Sequence, residues 1–142
     1  MRLLFLMVFM FTSNIYAGHQ SANKDEQIIF LLELEVIEGK QNQVDDLIDR
    51  LVENVKKTEP DTIIYEYYAS SEDRIFLYEV YKNHEAAEFH VDQFMQGSLM
   101  PIFVDTFSVV TFEVLGSTSD VLKEKMKDFT EDHRPKTDGF KR

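Results

Sequence analysis

The sequence predicts an α+β domain of the ferredoxin-like split βαβ type, extended by one further helix. Three observations predict it. Residues 27–37 place Ile28, Phe30, Leu32, Leu34 and Val36 on one side of a two-residue period. Two aromatic-rich runs, 62–69 and 74–81, are separated only by Ser70-Ser71-Glu72-Asp73, a polar turn of hairpin length. The segments after 38 and after 83 carry apolar residues on the 3.6-residue helical period instead. With a last strand and helix the order is βαββαβα, which lays helices on one face of an antiparallel sheet. At 142 residues the chain supports one domain and leaves no room for a separate cofactor domain.

The first seventeen residues read as a secretory signal peptide. Arg2 gives a positive start, residues 3–11 are an unbroken apolar run, and Ala17 offers a small residue for cleavage. The run is shorter than the roughly twenty apolar residues that span a bilayer, so stable membrane insertion after cleavage is not expected. Residues 18–26 are a polar lead-in. The absence of cysteine excludes disulfides, thiolate catalysis and Cys-held metals, and with export it points to a bacterial envelope compartment, periplasmic or secreted. A formal charge of −11 disfavours nucleic acid and anionic membrane as partners.

Strand 27–37 is followed by Glu38-Gly39-Lys40, a turn into a helix running to about residue 57. Val44, Leu47, Ile48, Leu51, Val52 and Val55 form its apolar stripe against Asp45, Asp49, Arg50 and Glu53. Pro60 sits just past its end, where it cannot continue the helix. After the hairpin, Asn83 is placed to cap a helix whose apolar positions are Ala86, Ala87, His90, Val91 and Phe94. Residues 97–105 read as short helical or irregular chain, and 106–115 as a fourth strand with Val109 and Thr111 alternating against Val110, Phe112 and Val114. Gly116 ends that strand. Ser117, Thr118 or Ser119 can cap a last helix over 120–129, with Val121, Leu122, Met126 and Phe129 on its apolar side. The domain thus covers 27–129, and 130–142 is a polar tail. Met95, Met100 and Met126 read as core fillers.

Glu59-Pro60, Tyr65-Glu66, Tyr78-Glu79-Val80-Tyr81, Glu85-Ala86-Ala87 and the helical His90 occur in an order and spacing that resembles the antibiotic biosynthesis monooxygenase (ABM) family and its quinol monooxygenase-like members. The likeness continues through 107–116 and to Gly139-Phe140. It implies a homodimer that pairs two sheets into an α+β barrel. It also implies a cofactor-independent monooxygenase acting with O₂ on a quinol or other small aromatic. No flavin or nicotinamide fingerprint, phosphate loop or spaced metal-ligand motif is present, so neither cofactor nor metal is expected. The chain has no Trp, which sets it apart from heme-degrading relatives of this fold.

Chemistry of that kind requires a dry aromatic pocket, a base near the substrate hydroxyl and donors for the developing anion. His90 is the candidate base; its competing reading is a packed helix histidine bonded to a carbonyl or a Tyr. Tyr65, Tyr67 and Tyr78 are placed to orient a ring or donate a proton, or else to stabilise the hairpin as cross-strand pairs. Glu79 interrupts an apolar strand face and must be paired, wet or shifted in pKa. It reads as a catalytic acid or, the role the sequence favours, as a dimer contact bound to Arg74 or Lys82. The candidates are therefore His90, Tyr65 and Glu79 for catalysis, and Tyr67, Tyr78 and Phe94 for the substrate pocket. A non-catalytic dimeric module that binds a small ligand, or serves a stress response, is the alternative, because one fold hosts many functions.

Overall fold

The computed structural model describes residues 26–141. The signal peptide read at 1–17 and almost all of the lead-in lie outside the described residues. Within them the chain forms β1 (Ile28–Val36), α1 (Val44–Thr58), β2 (Thr62–Ser71), β3 (Arg74–Tyr81), α2 (His84–Gln96), α3 (Met100–Thr106), β4 (Phe107–Leu115), α4 (Asp120–Met126) and the two-residue β5 (His133–Arg134). The sheet order is β2-β3-β1-β4-β5, antiparallel except for the β4–β5 pair. It is the ferredoxin-like α+β fold that the sequence predicts, and the sheet is open rather than closed.

The two-residue period of β1 decides which sheet face is covered. Ile28, Phe30, Leu32, Leu34 and Val36 are all buried under the helices, while Ile29, Leu31 and Glu33 are only half-buried on the other side. The stripe Val44, Leu47, Leu51 and Val55 buries α1, with Asp45 and Asp46 in its first turn and Lys56 and Lys57 in its last, each favourably placed for the helix dipole. Asn83 caps α2 by accepting a hydrogen bond from the Ala86 amide at 3.0 Å. Ser119 does the same for α4 through the Leu122 amide at 2.9 Å.

Several boundaries differ from the sequence reading for identifiable reasons. The hairpin strands pair as far as Ser71 and Arg74, which shortens the expected four-residue turn to Glu72-Asp73. The segment left between helix and irregular chain is a helix, α3, with Pro101 in its first turn, where the missing N–H costs nothing. In β4 a bulge opposite Glu33 and Leu34 breaks the simple alternation: Leu34 pairs with Val109, whereas Leu32 pairs with Phe112. Val109, Phe112 and Val114 therefore share the helix-covered face, and the expected opposition of Val109 to Phe112 is wrong. Gly116 ends the strand at φ +117°, where a Cβ would lie 2.6 Å from the Gln27 carbonyl oxygen.

In α4, Val121 is 54% exposed and so does not belong to the apolar side, while Phe129 packs on the core from just beyond the helix end. Met126 fills core space, but Met95 is largely exposed. The tail adds β5 beside β4, and Lys141 donates to the Gln27 side chain at 2.6 Å. No helix among the described residues is long and apolar enough to cross a membrane.

Candidate functional site

The helix-covered face of the sheet carries a row of three side chains directly opposite one another on adjacent strands. Tyr65 of β2 pairs with Glu79 of β3, which pairs with Phe30 of β1. Period-two alternation fixes that row: residues 77, 79 and 81 face inward only because 76, 78 and 80 face the other way. From above, α2 presents His90, which the helical period puts in line with Ala86, Ala87 and Val91 on its buried side. The result is an imidazole held over a carboxylate in the middle of the domain.

Both nitrogens of His90 meet a carboxylate. Nδ1 lies 2.8 Å from Glu59 Oε2, and Nε2 lies 3.8 Å from Glu79 Oε1. All three residues are buried. Thr62 Oγ1 donates to Glu59 Oε2 at 3.0 Å, and Tyr81 Oη donates to Glu79 Oε2 at 2.8 Å. The array therefore runs Thr62, Glu59, His90, Glu79, Tyr81. Tyr65 and Tyr67 form a separate hydroxyl pair at 3.0 Å, with the Tyr65 ring 5.8 Å from that of His90.

Burial sets the protonation of this cluster. Removal from water raises the pKa of Glu79 above its ordinary value. The His90 charge and the Tyr81 hydrogen bond pull the other way, and the neighbouring Glu59 adds to the rise. Burial alone would depress His90, but the Glu79 charge and the hydrogen bond to Glu59 carry its pKa above normal. The phenols of Tyr65 and Tyr81 are driven well up, first by burial. Tyr67 is driven up by burial too. These hydroxyls are thus donors rather than anions, and the carboxylate–imidazole pair holds on to protons at pH values where exposed counterparts release them.

A cavity of about 110 Å³ adjoins the array, between the sheet and helices α2 and α3. Glu79, His90 and Tyr65 supply its polar end; Phe30, Phe94 and Phe112 are among its apolar walls. Phe94 stacks on His90 with ring centres 6.3 Å apart, and Phe103 meets Phe94 edge-on at 5.2 Å. Val104 and Val109, each about half exposed, lie at its rim. Among the described residues no group of three or more His, Asp or Glu side chains is placed to hold a metal ion. The geometry explains this: the two nitrogens of one imidazole point apart, so Glu59 and Glu79 cannot converge with His90 on one point.

The structure brings together His90, Glu79, Tyr65 and Phe94. Tyr67 stands behind Tyr65 and reaches the cluster through it. Tyr78 does not belong to the pocket, because its strand position turns it to the opposite sheet face, half-buried beside Leu31 and Glu66. Glu79 binds neither Arg74 nor Lys82: Arg74 pairs with Glu33 and Glu35, and Lys82 with Asp61. Sequence reasoning missed Glu59 and Tyr81 as site residues. Tyr81 was findable, since it lies two residues from Glu79 on one strand face. Glu59, at a helix exit before proline, resembles a solvated residue until the fold places His90 against it.

Residues 27–94 match the family model described as Antibiotic biosynthesis monooxygenase, so the resemblance read from the residues holds over that stretch. The solved structures similar to the chain include MupZ from Pseudomonas fluorescens, at 18% identity and TM-score 0.73 over 82% of this chain and 95% of that one. They include SnoaB, a cofactor-independent oxygenase from Streptomyces nogalater, at 10% identity and TM-score 0.54 over 66% and 95%. Rv0793 from Mycobacterium tuberculosis is similar at 13% identity and TM-score 0.55 over 66% and 97%. At these identities the likeness is one of fold. No curated protein matches the chain by sequence.

Proposed function

We propose that this ABM-type domain is a cofactor-independent monooxygenase that oxidises a quinol or other small hydroxylated aromatic with O₂. One observation carries the reading: Glu79, a carboxylate with a raised pKa, is buried at the polar end of an aromatic cavity. A carboxylate in that position accepts a phenolic proton more readily than an exposed one, because burial disfavours its charged form. The name of the similar Streptomyces oxygenase supports oxygen chemistry on this fold without a cofactor.

The chemistry then needs only substrate, O₂ and protons. Glu79 takes the proton of a ring hydroxyl, and the aryloxide passes one electron to O₂. The resulting ring radical and superoxide combine at a ring carbon, forming a C–O bond and, after protonation, a hydroperoxide. Loss of the hydrogen on that carbon breaks the O–O bond; one oxygen stays as a carbonyl and the other leaves as water with a proton returned by the site. Overall, quinol and O₂ give hydroxyquinone and water. Tyr65 Oη and the His90 imidazolium are the donors beside the developing anion.

The test is O₂ uptake by metal-free, flavin-free protein with a panel of reduced quinones, wild type against Glu79→Gln. Uptake that falls at least about a hundredfold in the variant, the lower end of the range for a lost general base, supports the reading. No uptake across the panel, together with recovery of an unchanged hydrophobic ligand by native mass spectrometry, would assign the cavity to a binding module. From the signal peptide read at 1–17 we infer that this activity belongs to the bacterial envelope, and N-terminal sequencing of envelope material should then begin at Gly18.

A further inference from the structure

His90 does not sit at the end of the site but between two cavities. On the side away from Glu79 a second cavity, of about 50 Å³, reaches Glu59. Its outer wall includes Asn54, Gln93 and Ser98, all solvent-exposed polar residues, whereas Glu59 at its base is buried. Three rings, those of Tyr65, His90 and Phe94, line both cavities and so form the partition between them. Two of the three do not link the carboxylates: Phe94 has no polar atom, and the Tyr65 hydroxyl bonds to Tyr67 and to neither Glu59 nor Glu79. The imidazole alone presents one nitrogen to each side, Nδ1 to Glu59 and Nε2 to Glu79.

We propose that Glu59 is the proton port of the site, and that His90 carries protons between Glu79 in the apolar cavity and solvent in the polar one. The inference rests on the oxygenase reading for its purpose, since a base that strips a substrate hydroxyl in a dry cavity must exchange that proton. Substrate lying in the apolar cavity blocks the direct way out past Val104 and Val109. The neutral imidazole with its proton on Nδ1 takes the Glu79 proton on Nε2, and the imidazolium so formed gives its Nδ1 proton to the Glu59 carboxylate. Glu59 then releases that proton to water between Asn54, Gln93 and Ser98, and ring rotation or exchange with water returns the imidazole to its Nδ1–H tautomer before the next transfer. The 2.8 Å step is a formed hydrogen bond; the 3.8 Å step closes by a small tilt of the ring toward Glu79. The ionisable groups facing the imidazole are Glu59 at the entry to β2, Tyr65 from β2, and Glu79 and Tyr81 from β3. Thr62 fixes the Glu59 carboxylate by its hydrogen bond.

The test uses the intact protein, ¹⁵N-labelled at histidine, and reads exchange of the His90 ring protons with water by NMR, which needs no substrate. Glu59→Gln keeps the shape of the side chain but cannot ferry a proton. It should slow exchange by about tenfold or more, the equivalent of one charge-assisted hydrogen bond. Ser98→Val, which makes the polar cavity mouth apolar and leaves the array untouched, should slow it in the same direction. Under quinol turnover both variants should show a larger solvent deuterium effect than wild type. Unchanged exchange in both variants would overturn the port, whereas slowed exchange without O₂ uptake would keep the port and remove only the oxygenase reading.

Discussion

Glu59 Oε2 and His90 Nδ1 lie 2.8 Å apart although 31 positions separate them in the chain. One belongs to the exit of α1 and the other to the second turn of α2, so the contact exists only once both helices lie on the sheet. It converts a helix histidine into the centre of an array with a carboxylate on each nitrogen. Burial alone would push a lone histidine toward its neutral form; here the Glu79 charge and the Glu59 hydrogen bond shift the balance toward the protonated form.

That array makes folding stability fall as pH rises from mildly acid to mildly alkaline values. Glu79 has a folded pKa above its ordinary 4.5, so the folded state binds more protons than the unfolded one above that pH. His90 has a folded pKa above its ordinary 6.5, so its contribution is complete below 6.5 and is lost as pH passes the folded value. Both signs agree. Glu79→Gln removes the first effect and weakens the second. Thermal unfolding from pH 5 to 8 should therefore show the difference, wild type minus variant, shrinking with pH. A difference that grows with pH would mean that Glu79 is stabilised as a carboxylate.

Tyr81→Phe probes the other end of the array. The hydroxyl it removes is the donor to Glu79 Oε2 in a buried setting, so an unsatisfied acceptor is left behind. The expected cost is about 1–3 kcal/mol in urea unfolding, and the pH dependence of stability should steepen because Glu79 loses a group that favours its charged form. A variant as stable as wild type would show that the hydroxyl is not bonded to Glu79.

How much of this was legible in the chain varies by residue. Period-two and 3.6-residue patterns placed β1, α1, the hairpin and α2 correctly because burial alone determines them. Glu79 was legible as an anomaly, a charge on an apolar face, but its partner was not. Arg74 and Lys82 are its sequence neighbours, while the group that meets it comes from α2. Tyr78 was misplaced because aromatic content marks a strand without saying which face a ring takes, and only the register does that. The bulge in β4 was invisible for the same reason, since Val109, Val110, Thr111 and Phe112 satisfy either alternation until paired with β1.

The cavity rim is testable apart from the proton chemistry. Val109 is 44% exposed and lines the cavity, so a larger side chain there narrows entry without filling core space. Val109→Trp should leave the unfolding midpoint nearly unchanged and raise KM for a quinol about tenfold, a loss of roughly 1.4 kcal/mol, with kcat less affected. A fall in kcat alone would place the substrate elsewhere.

The last prediction concerns the sheet face that the helices leave uncovered. Ile29 and Leu31 of β1 lie there beside Phe76, Tyr78 and Val80 of β3, with Ile64 and Tyr68 of β2 continuing the row across the sheet. Arg74 bridges Glu33 and Glu35 at one end, and Glu66 and Glu113 stand beside Tyr78 and Leu31 within the face, so the apolar side chains form a strip crossed by carboxylates. Half-buried Ile29, Leu31, Phe76 and Tyr78 together with exposed Tyr68 give this face an apolar strip of the kind that marks an interaction surface. We propose that a second copy covers it, sheet against sheet, as ABM resemblance implies, burying on the order of 1,500 Å² in total. Light scattering at micromolar concentration should then give about twice the monomer mass. Tyr78→Lys, which sets a charge in the middle of the face but far from the cavity, should shift the protein to monomer while His90 retains its NMR signature. A clean monomer for the wild-type protein would sink the sheet-paired dimer, and a dimer that survives Tyr78→Lys would move the interface to another surface.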